Sequence, residues 1–130
     1  MTLEFQKDLL RVLAQSPAFR KYVALISEDI FELPETQVVF QLLQSYVKKY
    51  KKQPSYSSLL ELWDSVSKKQ TVEASIYKNV QVEIGSVYET YEGDLGLLQE
   101  TIVEQVQYRM AKILVQKYAG QLNDGIASIS

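Results

Sequence analysis

Cysteine and histidine are both missing from this sequence, and their absence closes most of enzymology to it. Without cysteine there is neither a disulfide scaffold nor a thiolate zinc site, a composition that suits a reducing compartment. Without histidine the usual acid–base group near neutral pH is gone, and with it the Ser-His-Asp and Cys-His arrangements and nearly all zinc chemistry. No lysine follows a glycine, so the phosphate-cradling core of a P-loop is lacking. The glycines at 85, 93, 96, 120 and 125 are too scattered for a dinucleotide fingerprint. No apolar run approaches the roughly 18 residues that a membrane span needs, and Met1 is not followed by a basic-then-apolar signal segment. Excess positive charge is lacking too. Fourteen Lys and Arg against sixteen Asp and Glu give a net charge of −2, which argues against a dedicated nucleic-acid binder. A soluble, cytoplasmic protein is expected, with no catalytic, cofactor-binding or metal-ligating residues of its own.

What the sequence does have is helical periodicity. Its 130 residues, 46% of them apolar, fit one domain with a core that needs no staples. Leu3, Leu9, Leu10 and Leu13 share one face of a first helix over 3–15, with Gln6, Lys7, Asp8 and Arg11 outside. Ser16-Pro17 punctuates the run, and Phe19, Tyr22, Val23 and Ile26 then turn inward from a short second helix. Pro34 opens the clearest helix, in which Val38, Val39, Leu42, Leu43, Tyr46, Val47 and Tyr50 recur at core spacing. Gln53-Pro54 follows its end, and Ser55 or Ser58 caps a helix carrying Leu59, Leu60, Leu62, Trp63 and Val66, with a capping box to Glu61 if the cap is Ser58. Ser67 to Thr71 reads as a loop.

The second half predicts a helical hairpin. Ile76, Val80, Ile84, Val87, Tyr88 and Tyr91 step by three and four over 72–91, with Gly85 marking either a close helix approach or a break. Glu92 to Gly96 is a turn with Asp94 as cap, and one long helix runs from Leu97 to about Leu122, ending at Asn123-Asp124-Gly125. The fold class is all-α, a compact domain of about five to six helices ending in a hairpin with a long C-terminal helix. Residues 1–70 form its globular part, 71–122 the hairpin and the start of a linker helix, and 123–130 a flexible tail or interdomain linker.

Three clusters are candidate sites. Lys48, Lys49, Lys51 and Lys52 lie among Tyr46, Tyr50 and Tyr56, a mixture that can stack on and neutralise single-stranded nucleic acid. The tyrosines fall on the buried period and cations favour a helix C-terminus, so a solvated helix end is the better reading and direct nucleic-acid binding is not expected. Glu100 with Glu104, and Glu89, Glu92 and Asp94 near the turn, could hold magnesium, but surface charge and helix-start acids explain them better. Trp63 reads as a core anchor. The strongest signal is the last helix, where Leu98, Ile102, Val106, Met110 and Ile113 form one apolar stripe and Leu97, Val103, Ala111, Leu114 and Tyr118 a second. Two stripes need two neighbours, and a partner-facing surface is expected there.

The order of these elements resembles the N-terminal domain of DnaB-type replicative DNA helicases. The likeness rests on Leu25, Glu28-Asp29-Ile30-Phe31 and Pro34, then Val39-Phe40 with Leu42-Leu43, Tyr46 and Gln53-Pro54, and on the closing hairpin and long helix. It spans nearly the whole chain. Glu35-Thr36-Gln37 replaces the His-Arg or similar pair common after the first proline, and Lys52 and Tyr56 replace a Gly and an Asp around the second, departures that fit a phage-encoded relative. The resemblance implies a collar domain that assembles with copies of itself as a dimer or hexamer and binds primase or a helicase loader. ATP and magnesium would belong only to a motor domain outside this chain. It further implies Tyr88, Tyr91, Leu98 and Ile102 as contacts between collar domains and Met110, Ile113 and Leu114 as the docking helix, with Val106 between them also in the interface. A free-standing helical adaptor, similar to a helicase loader, is the alternative.

Overall fold

In the computed structural model the backbone is described over residues 1–129 and the side chains over residues 1–122. Six helices follow in order: α1 (Leu3–Gln15), α2 (Arg20–Val23), α3 (Pro34–Tyr50), α4 (Tyr56–Gln70), α5 (Ala74–Val87) and α6 (Leu95–Ile129). Short 3-10 turns at Pro17–Phe19 and Glu28–Ile30 fill the connections before and after α2. No strand occurs among the described residues, and no helix there is long and apolar enough to cross a membrane. The all-α expectation holds.

The helix ends follow local chemistry. The Thr2 hydroxyl accepts the Phe5 N–H at 3.1 Å and caps α1. At α4 the cap is Ser55, which accepts the Ser58 N–H at 3.2 Å, so Ser58 lies inside the helix and no Ser58–Glu61 capping box forms. Asp94 Oδ1 accepts the N–H groups of Gly96 and Leu97 at 2.8 and 3.2 Å, as its place before α6 predicts. Lys51 and Thr71, at φ 59° and 52°, take the left-handed conformation that stops α3 and α4. The expected loop over Ser67–Thr71 is therefore wrong. Ser67 to Gln70 are the last turn of α4, polar because all but Ser67 face solvent.

The core gathers around α5, which packs against α1, α3 and α4. Leu9, Leu10, Leu13, Phe31, Phe40, Leu43, Leu59 and Ile84 have no exposed surface. Phe31 and Phe40 rest ring against ring at 5.2 Å, and Trp63 stacks on Tyr77 while donating its indole N–H to the Tyr77 carbonyl at 3.1 Å. Trp63 is the anchor the sequence predicts.

The expected hairpin is corrected in two ways. First, α5 ends at Val87 rather than Tyr91, and its Ile76, assigned to the core stripe, is exposed. Second, its neighbours are α1, α3 and α4, so it does not serve as a lengthwise partner for α6. On α1, Leu3 is exposed, whereas Gln6, assigned to solvent, is buried; its Oε1 accepts the Glu32 N–H at 2.9 Å. Arg11 and Gln15 of the same helix turn toward the end of α5. The Arg11 guanidinium donates to the Ser86 carbonyl at 2.9 Å, and the Gln15 amide donates to the carbonyls of Val87 and Glu89, each at 2.8 Å. These polar side chains satisfy acceptors at the α5 terminus that the helix itself leaves unpaired.

Helical backbone in α6 runs past Asn123-Asp124-Gly125 to Ile129, so those residues do not end it. The tail or linker expected over 123–130 otherwise lies outside the described residues. Gly85 marks neither a break nor a close approach: it sits within α5, and a Cβ built there meets nothing within 4 Å. Gly85→Ala is therefore expected to stabilise the domain by about 0.5–1 kcal/mol. Urea unfolding checks this, and a lowered midpoint would show that the space at Gly85 is used.

Candidate assembly surface

At the usual rise α6 is about 50 Å long, more than the helices it leaves behind can cover. Its first turns are seated: Leu98 and Ile102 have no exposed surface, and Val106 is half-buried against the same core. The helix then passes the segment 25–30, where Arg109 donates to the Leu25 carbonyl at 3.2 Å and Tyr108, Lys112 and Ile113 face Asp29 and Ile30 across an open groove. From Gln107 to Leu122 every residue is exposed. Tyr108, Met110, Ile113, Leu114, Val115, Tyr118 and Leu122 each show between 50% and 69% of their surface.

The candidate residues thus separate into two groups. Of Tyr88, Tyr91, Leu98 and Ile102, the implied contacts between domains, the two aliphatic residues are fully buried in this chain and the two tyrosines half-buried against its core. The Tyr88 hydroxyl donates to the Pro54 carbonyl at 2.9 Å, its ring meets Tyr56 edge-on at 5.7 Å, and burial pushes its phenol pKa well above the ordinary tyrosine range. Tyr91 packs, half-buried, on the core. Met110, Ile113 and Leu114, the implied docking residues, are free to meet a partner.

Comparison with protein-family models, with curated proteins and with solved structures finds no match for this chain. The surface has to be read from its own chemistry.

That chemistry has a period. Tyr108, Ala111, Val115, Tyr118 and Leu122 follow one another at intervals of three, four, three and four, the spacing of a coiled-coil seam, with Leu114 beside it. Tyr108, Val115 and Leu122 were not among the expected interface residues. Following the stripe that starts at Leu98 leads along the docked face and away from them. Between Glu104 and Asp124 the helix carries Arg109, Lys112 and Lys117 and no acid. The seam is apolar with a basic border.

The remaining clusters are placed as follows. Among the described residues no three acidic groups converge on one point. Glu89 lies 3.4 Å from Arg11, Asp94 caps α6, and Glu92, Glu100 and Glu104 face solvent. Lys48, Lys49, Lys51 and Lys52 are exposed at the end of α3, as expected, but the tyrosines beside them are not uniformly core: Tyr50 is 51% exposed and Tyr46 half-buried.

Proposed function

We propose that this chain is an assembly module, a small helical body that holds out α6 so that residues 108–122 can pair with a helix of a neighbouring copy. The observation that carries this reading is the exposed three–four seam from Tyr108 to Leu122. A seam of about four turns of aliphatic and tyrosine side chains left in water costs solubility unless a partner covers it, and a helix laid along it recovers that apolar surface. Read with the resemblance of its sequence, the module is the collar domain of a DnaB-type replicative helicase. It brings chains together in a ring and presents a surface to primase or a loader, while ATP hydrolysis and unwinding belong to a motor domain beyond it.

The basic border favours one second reading. Three cations without an acid would draw an acidic amphipathic helix of a different protein, as in a free-standing adaptor or loader.

Sedimentation over a wide concentration range tests both. The wild type is expected to self-associate reversibly, as small interfaces do, and Leu114→Asp with Tyr118→Asp to remain monomeric at every concentration with unchanged far-UV circular dichroism. A wild type that stays monomeric at high concentration yet captures a purified primase or helicase, and loses that capture in the double variant, favours the adaptor. Neither association nor capture, in wild type or variant, removes α6 as an assembly surface.

A further inference from the structure

The end of α3 carries more positive charge than a helix C-terminus accounts for. Lys48 and Lys49 lie in the last turn, where the dipole favours them. Lys51 and Lys52 lie beyond it, and the fold adds Arg20 and Lys21 from α2, so that Arg20, Lys21, Lys48 and Lys51 line one shallow depression with Ala24 and Val47. None of these six cations takes part in an ion pair among the described residues. The sequence keeps acids away from both contributing segments: neither 9–27 nor 36–60 contains one. The six leave only eight cations against sixteen acids in the rest of the chain, so a net charge of −2 conceals a strongly basic flank on an acidic protein.

Aromatic rings stand among these charges. The left-handed turn at Lys51 sends Lys51 to the cationic depression and Lys52 to a groove on the other side of α3, lined by Tyr46, Tyr50, the hydroxyls of Ser57, Ser58 and Ser65, and one carboxylate, Glu61. The Tyr46 and Tyr50 rings lie 4.6 Å apart, and the Lys49 ammonium is 5.3 Å from the centre of the half-exposed Tyr50 ring. Lys21 stands in the same relation to Tyr22, at 5.2 Å.

We propose that this flank binds single-stranded nucleic acid, its phosphates on Arg20, Lys21 and the lysines of 48–52 and a base on Tyr50. Separated cations with a half-exposed aromatic ring between them are what a flexible phosphate chain with stackable bases requires. An acidic peptide would use the charges and leave the ring idle. The grounds for a merely solvated helix end lose their force, since Tyr50 is exposed, Lys51 and Lys52 lie past the helix end, and the negative net charge belongs to other faces.

Fluorescence anisotropy of a labelled thymidine oligonucleotide against the full chain, titrated over salt, tests the proposal. Six phosphate contacts would set an upper limit of about 4 on the slope of log affinity against log salt for a single strand. The Lys48, Lys49, Lys51 and Lys52 to Gln variant is expected to lose binding at least tenfold. Tyr50→Ala is expected to weaken the oligonucleotide severalfold while leaving an abasic oligomer of equal length unaffected. All the substituted side chains are exposed, and circular dichroism confirms that the variants fold. No binding by wild type at low salt overturns the proposal, as does binding that survives the lysine changes. If polyglutamate competes as well as the oligonucleotide and Tyr50→Ala alters neither, the flank is an acidic-peptide site and the nucleic-acid assignment fails.

Discussion

Ile102→Asp is expected to lower the unfolding free energy by about 5 kcal/mol, while Ile113→Asp changes it by less than about 0.5 kcal/mol. Both residues lie on the same apolar stripe of α6, three turns apart, and by periodicity alone they are equivalent. Ile102 has no exposed surface, so the substitution removes a fully packed side chain and puts a carboxylate in its place without a partner. A domain of this size is stable by only about 5–15 kcal/mol, so the loss takes most of the margin or detaches the first turns of α6 from the body. Ile113 is 52% exposed, and an aspartate there reaches water directly. Urea unfolding with circular dichroism and tryptophan emission, Trp63 being the only tryptophan, separates the two. An Ile102 variant as stable as wild type would mean that α6 is not seated on the core. A destabilised Ile113 variant would mean that the docked face of α6 stays buried past Val106, in the groove beside Asp29 and Ile30.

The contrast shows where the sequence is informative. Repeats at three and four residues identify α1, α3 and α6 as amphipathic, because each has a face that must leave water. Which neighbour covers that face is a tertiary matter. For α5 the answer is the three helices α1, α3 and α4, which is why adjacency along the chain wrongly pairs it with α6. Polar residues misled for a related reason. Gln6, Arg11 and Gln15 look like solvent-facing positions, yet backbone groups at the Glu32 turn and the α5 terminus need partners, and these side chains are near enough to supply them. Ser67 to Gln70 look like a loop because an exposed last turn has a loop's composition, and the stop at Thr71 is a backbone conformation that its side chain does not advertise. Met110, Ile113 and Leu114, expected at a partner-facing surface, are exposed; the seam through Tyr108, Val115 and Leu122 emerges only once the seated face of α6 is known.

Arg11→Ala is expected to cost about 3 kcal/mol, the larger part of it through α5 rather than through α1, where Arg11 resides. Its side chain is only 11% exposed and makes a fork: one nitrogen donates to the Ser86 carbonyl at 2.9 Å, another to the Ser86 hydroxyl at 3.2 Å, and a third to Asp8 at 2.9 Å. The partners are acceptors at the C-terminal end of the helix on which the core is built, where a cation also meets the favourable end of the dipole. Removing it leaves the Ser86 carbonyl with only weak backbone donors, the Glu89 N–H at 3.2 Å among them, and Asp8 without its counter-charge. Arg11→Lys keeps the charge but cannot reach three acceptors from one plane, so it should recover less than half of the loss. Gln15→Ala, which frees the Val87 and Glu89 carbonyls, should cost about 1–2 kcal/mol. The same contacts fix residues 86–89 immediately before the turn that launches α6, and Gly93 in that turn lies so close that a Cβ there would stand 2.9 Å from Asp8 Oδ2. Loosening this junction should therefore weaken self-association as well as stability, although no residue of the seam is changed. Denaturation curves for Arg11→Ala, Arg11→Lys and Gln15→Ala, with sedimentation of each under conditions where it remains folded, measure both effects. If Arg11→Lys matches wild type in both, the forked geometry contributes nothing, and if Arg11→Ala is destabilised yet associates normally, the aim of α6 does not depend on the α1–α5 junction.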